Sequence, residues 1–266
     1  MRTTTVLAFI VSLLLQVGCP LAVVFCYRRK TRASWQVFAY GAIVFAVFQL
    51  FTWLPLSIYL DVVVGNRLDS GFWAFMWLLA LALGTALAEE GGRWLGYRHL
   101  FPRGSFGLTW RNGVMYGLGQ AFLETTLFIA GLTFVIFIAY ILLGQLESRL
   151  VPQSSGPEAS LAFREALQTI RNTAWHQPLV IALERILSLP HQVAWALLVM
   201  QSLVLSERRW FLFAVLYHTS IAIIVPGLAR LSSFVIAEAA NVLLALISLW
   251  IIVRLRALSV GGGEGS

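Results

Sequence analysis

Two adjacent carboxylates, Glu89 and Glu90, followed three residues later by Arg93, interrupt a long apolar run. Other apolar runs hold Gln120 and Glu124, then Glu184, Arg185 and His191, then His218, and last Glu238 and Asn241. Ionisable groups in apolar surroundings are costly, so they pair with one another or line a functional cavity. The types present suit hydrolysis of an amide. A carboxylate beside neutral imidazoles can take a proton from water, and an imidazole or amide can support the oxyanion formed as that water attacks. Glu89, Glu90, His191 and His218 are the expected catalytic set, supported by Arg93, Gln120, Glu124, Glu184 and Arg185. Neighbouring residues on a helix point about 100° apart. One of Glu89 and Glu90 is therefore expected to activate water, and the other to pair with Arg93 or a neighbouring helix.

Spacing groups these residues further. Gln120 and Glu124 are i and i+4, Glu184 and His191 are two turns apart on one face, and Glu90 can reach Arg93 at i+3. Glu184–Arg185 and Glu90–Arg93 also fit plain structural clamps between helices, and Glu238 and Asn241 fit helix–helix hydrogen bonding. The same histidines and glutamates suit zinc as a lesser alternative. However, the chain has no H-E-x-x-H, and no cysteine stands near them. No cofactor is expected. The glycines at 117–119 fall inside an apolar run and read as a site of close helix packing, not as a phosphate loop.

The elements that must position these groups are membrane spans. The chain has 266 residues, 59% hydrophobic and only 12% charged, whereas a soluble domain carries about twice that charged fraction. Apolar runs at about 4–27, 35–60, 71–95, 112–143, 178–205, 210–228 and 233–253 are each long enough to cross a bilayer. The fold class is therefore all-α, a polytopic transmembrane bundle of about seven spans. It is expected as a single domain over 1–258, with an amphipathic insert near 145–177 and a flexible tail at 259–266. The first run is stopped by Arg28, Arg29, Lys30 and Arg32, which reads as a span and not as a cleaved signal peptide. Cys19 and Cys26 both lie in that run and make no disulfide framework.

The net charge is +7, but the basic residues sit in short clusters between apolar runs. They read as topology signals and exclude a nucleic-acid footprint. With the N-terminus outside, eleven Lys and Arg fall in the inside segments, which include a basic loop with Arg98, Arg103 and Arg111, against six outside. The bias favours N-terminus out and C-terminus in. Glu89 and Glu90 then lie about 10 Å from the inner end of their span at 1.5 Å per residue. Gln120 and His218 fall at matching depth on two other spans, and His191 and Glu124 lie deeper.

At these positions the chain resembles a known family. AEEGGRWLGY (88–97), YGLGQAFLE (116–124), ERILSLPHQVAWALLV (184–199) and LYHTSIA (216–222) are similar to motifs of the YhfC family. Its members are bacterial intramembrane peptidases distantly related to the CAAX prenyl protease and bacteriocin-processing superfamily. The resemblance covers about residues 72–230. It implies that Glu89 and Glu90 match the paired glutamates that activate water, and Arg93 the arginine that follows them. His191 matches the histidine after the Glu184–Arg185 pair. His218 matches a later histidine that helps hold water or the oxyanion, and Glu124 the glutamate that ends the glycine-rich motif. The chain departs from the pattern twice, with Gln120 where the family tends to have histidine and Ala222 where it tends to have Asn or Asp.

Three readings follow. The first is a glutamate-dependent endopeptidase of the bacterial cytoplasmic membrane, acting on a membrane-associated peptide near the inner leaflet. The second is a divergent binding or scaffold protein holding a peptide or lipid in the same cavity. The third is a proton-coupled transporter, for which inverted repeats and broken helices would speak. Neither is visible in the sequence. The topology has a direct test: a reporter active only in the cytoplasm, fused to the C-terminus, is expected to give full signal. A silent reporter on a well-expressed fusion would reverse the orientation.

Overall fold

The computed structural model describes residues 2–68, 71–146, 165 and 168–261. Most of the expected amphipathic insert, including 147–164, and the end of the tail, 262–266, lie outside them. Among the described residues there are no strands. Seven helices there are long and apolar enough to cross a membrane. They are α1 (Thr3–Thr31), α2 (Trp35–Val63), α3 (Phe72–Arg103), α4 (Trp110–Leu142), α5 (His176–Val204), α6 (Arg208–Leu231) and α7 (Phe234–Ala257). The all-α, seven-span class expected from hydropathy is the observed one.

One boundary differs from the expectation. Arg98 and Arg103 lie within α3 and Arg111 within α4, so the basic loop shrinks to the connection between those helices. The reason is continued burial. Gly96, Tyr97 and Phe101 keep facing the interior at helical spacing, while Arg98 turns outward with its guanidinium 4.9 Å from the Trp94 ring centre. Side-chain caps start two of the helices. The Ser34 side chain accepts from the Gln36 N–H ahead of α2, and Thr109 accepts from Asn112 N–H at 3.3 Å ahead of α4.

Two spans contain wide turns that hydropathy does not show. Residues Ala46–Trp53 of α2 and Leu123–Ile129 of α4 are π-helical. Such turns carry an extra residue per turn and often accompany functional sites. Glu124 stands in the second.

The described chain divides into two compact units, Met1–Leu21 with Thr125–Ile186, and Ala22–Glu124 with Leu187–Ser266. In the first, a polar ladder ties apolar helices together. Ser12 Oγ donates to Pro178 O at 2.5 Å, Gln16 Nε2 donates to Ser12 Oγ at 2.8 Å, and Thr133 Oγ1 donates to Gln16 Oε1 at 3.3 Å. Such bonds are a main source of cohesion between helices that gain nothing by leaving lipid.

The second unit holds a core built on Val37, Val44, Tyr97, Phe101, Met115, Tyr116, Leu197 and Met200. Its helices approach at glycines. A Cβ on Gly41 of α2 would overlap the Tyr116 carbonyl of α4, and one on Gly119 of α4 would overlap the Phe38 carbonyl of α2. A Cβ on Gly117 would lie 2.8 Å from Val193 Cα of α5. The glycines at 117–119 thus permit the close packing expected of them. Gly41→Ala and Gly119→Ala should each lower stability by about 1–3 kcal/mol, the usual scale of overpacking. Gly131→Ala, where a Cβ meets nothing within 4 Å, should be neutral or slightly stabilising. Thermal unfolding in detergent micelles checks all three.

Candidate active site

The side chains that gather in the second unit do so around Arg93. Its guanidinium and the Glu90 carboxylate are both 0% exposed. On α3, Glu89 and Glu90 precede Arg93 by four and three residues, which places it about 40° from one and 60° from the other around the helix. Both carboxylates therefore reach it. Arg93 Nη2 donates to Glu89 Oε2 at 3.1 Å, and Nη1 donates to Glu90 Oε1. Arg93 is thus a cation shared by both carboxylates.

Other helices complete the shell. From α4, Gln120 Oε1 accepts from Arg93 Nε at 2.5 Å. From α5, Gln192 Oε1 accepts from Arg93 Nη2, and Gln192 Nε2 donates to Glu124 Oε2 at 2.6 Å. From α6, His218 Nδ1 lies 2.8 Å from Glu90 Oε1. The ionised carboxylate only accepts, so the ring nitrogen donates.

Trp195 of α5 lies against this cluster. Its ring stacks on His218 with centroids 3.9 Å apart and planes 6° apart, and Arg93 Cζ lies 5.5 Å from its centroid. The other face of the story is His191, whose ring is 5.9 Å from Trp195. One indole thus lies between the two histidines. His191 directs Nδ1 to Ser248 Oγ at 2.8 Å and Nε2 towards Asn241 Oδ1 at 3.4 Å, both on α7. Ser248 continues to the Tyr217 hydroxyl at 2.8 Å.

The structure therefore brings Glu89, Glu90, Arg93, Gln120 and His218 into direct contact, adds Glu124 through Gln192, and joins His191 through Trp195. Glu184 and Arg185 belong to the first unit. Gln192, Trp195, Ser248 and Tyr217 escaped the sequence reading. Gln192 and Ser248 are polar residues within apolar spans, which was a usable signal. Trp195 had a weaker one, standing one turn after His191.

Two buried polar atoms here have no hydrogen-bond partner among the described residues: the second carboxylate oxygen of Glu90, Oε2, and the indole nitrogen of Trp195. One is an acceptor and the other a donor. Buried polar groups are normally satisfied, so such atoms mark places where water or a ligand belongs.

Residues 11–244 match the family described as YhfC intramembrane metalloprotease. The chain belongs to this family. A relative, the uncharacterized membrane protein YhfC of Bacillus subtilis (strain 168), is 27% identical over 205 residues, 75% of each chain. No solved structure matches. With seven apolar helices, the chain is a multi-pass membrane protein.

The family's description implies a metal, and the side chains allow a test of that. Zinc takes three or four protein ligands from His, Cys and carboxylates. Among the described residues no group of three or more such side chains is gathered to hold an ion. The cation between Glu89 and Glu90 is the Arg93 guanidinium, and both ring nitrogens of His191 face α7. This donor set does not fit zinc.

The cluster makes a stability prediction. Arg93→Met leaves two buried carboxylates without their cation and should destabilise by about 3–5 kcal/mol. Combining it with Glu89→Gln and Glu90→Gln should recover part of that loss. Unfolding of the single and triple variants in micelles measures it. Equal loss in both would mean that packing of the arginine stem, not its charge, is what matters.

Proposed function

We infer that this chain is an intramembrane endopeptidase that hydrolyses a peptide bond with a glutamate-activated water. The observation that carries this reading is the state of Glu90. One of its oxygens is held by Arg93 and His218, and the other is buried with no partner. A water hydrogen-bonded to Oε2 would lose a proton to the carboxylate as its oxygen bonds to the substrate's carbonyl carbon. The carbonyl π electrons move to its oxygen, where the unpartnered Trp195 N–H is a donor of the right kind. As the C–N bond breaks, the protonated Glu90 returns its proton to the leaving amine. Arg93 holds both carboxylates in place and His218 orients Glu90. No step requires a metal. The distant relationship to the CAAX protease superfamily is part of the same reading.

The motif order and the arginine bias support a cytoplasmic-membrane protein with its N-terminus outside. The cluster would then lie in the inner half of the bilayer, facing a membrane-associated peptide. A second reading draws on one observation: Glu89 and Glu90 both pair with a single guanidinium, as suits a binding or scaffold protein that holds a peptide or lipid without cutting it.

Purified protein in lipid, incubated with membrane peptides and followed by mass spectrometry, separates these readings. Glu90→Gln should lower turnover by about two orders of magnitude or more while substrate binding survives. A strong chelator should leave wild-type cleavage intact. Fragments in equal yield from wild type and variant would remove the support for a glutamate base. Cleavage lost to the chelator and restored by zinc would overturn the metal-free mechanism.

A further inference from the structure

The ends of α3, α5 and α6 border an open surface cavity of about 480 Å³ in the second unit. Trp94, Arg98, Ser202, Ser206, Arg208 and Phe211 line it, and no carboxylate does. Arg98 belongs to the last turns of α3, Ser202 to the end of α5, and Arg208 opens α6. These are helix ends brought together around one hollow, and the end of a span is where a chain passes from hydrocarbon to the headgroup region.

The charges are what mark the cavity. Arg98 lies over the Trp94 ring, and among the described residues neither Arg98 nor Arg208 has a carboxylate partner. The neighbouring acid does not cancel them. Glu207 accepts from Arg209 Nε at 2.6 Å and from Trp210 Nε1 at 3.1 Å. Ser206 takes a left-handed backbone (φ 55°), and this tight turn brings the start of α6 beside the end of α5. Two guanidinium groups and the Ser206 hydroxyl around one hollow match the oxygens of a phosphate, while the Ser202 hydroxyl donates to the Val199 carbonyl at 2.7 Å. The flanking surface is apolar: Leu205 and Leu212 are both largely exposed. A ligand with an anionic head and hydrocarbon chains satisfies both parts, and basic pockets between spans at the headgroup level bind anionic lipids in this way.

We propose that this cavity is a binding site for the phosphodiester headgroup of an anionic phospholipid. It is separate from the Arg93 cluster, none of whose members line it.

The test uses the full chain, equilibrated with vesicles of phosphatidylcholine and phosphatidylglycerol, extracted in mild detergent and examined by native mass spectrometry. Wild type should retain phosphatidylglycerol in preference to phosphatidylcholine. Arg98→Gln with Arg208→Gln should lower that retention at least about tenfold. The pair Arg98→Lys and Arg208→Lys should keep most of it, which guards against a fold defect in the glutamine variant. Equal retention of both lipids by wild type, or undiminished phosphatidylglycerol on the glutamine variant, would overturn the proposal. So would full displacement of the lipid by millimolar inorganic phosphate, which would make the cavity a site for a soluble anion. Displacement by a peptide through its free C-terminal carboxylate would also overturn it, assigning the cavity to a peptide end.

Discussion

A guanidinium with no exposed surface must find its counter-charge and its acceptors inside the protein, since water cannot supply them. Arg93 meets this demand from three helices at once. Its own helix provides Glu89 and Glu90, α4 provides Gln120, and α5 provides Gln192. Each partner then reaches further, Glu90 to His218 on α6 and Gln192 to Glu124 on α4. The register of four helices is thereby tied to one cation. Sliding any of them by a turn would leave a charge or an amide unpaired in an apolar surrounding, at a cost of several kcal/mol. A site that must hold a carboxylate in fixed orientation gains from such a frame, because every alternative arrangement is expensive.

Glycines allow the frame to be this compact. Arg93, Gln120 and Gln192 meet where Gly96 of α3 leaves room for Tyr116 of α4 and where α4 meets α5 at Gly117, while α2 and α4 touch at Gly41 and Gly119. Phe48 of the π-helical stretch in α2 packs where Gly92 of α3 leaves room for it. The other π-helical stretch carries Glu124, the carboxylate that Gln192 reaches. Close approach places the polar side chains within bonding distance, and the polar bonds in turn hold the backbones together.

The family's description and the local chemistry differ on the metal. A metal site needs ligands that converge with their lone pairs free. Here the two adjacent carboxylates converge on a guanidinium, and one of the two histidines faces away, towards Ser248 and Asn241. What remains is a carboxylate with one oxygen held and one open, the feature on which the proposed glutamate base rests. The indole between the histidines adds an N–H donor without adding charge.

The seven spans were legible in the sequence because hydropathy is a local property: about 20 apolar residues declare a span whatever surrounds them. The identities of Glu89, Glu90, Arg93, Gln120 and His218 were legible for a related reason, since an ionisable or amide group inside such a run stands out against it. Matched depth along helices of known rise even placed Gln120 and His218 level with the carboxylates. Facing was not legible. Whether Glu90 shared Arg93 with Glu89 depended on where the arginine side chain reached, and whether His191 or its neighbour Gln192 met the cluster depended on the rotation of α5. Sequence spacing gives angles within one helix and none between helices. Ser248, Tyr217 and Trp195 acquired their places only when α5, α6 and α7 packed. Residues 96–103 extended α3 past the point where hydropathy ended it because Tyr97 and Phe101 had a core to enter. The serine-edged arginine cavity likewise came from packing, since it is made by helix ends that no single stretch of sequence contains.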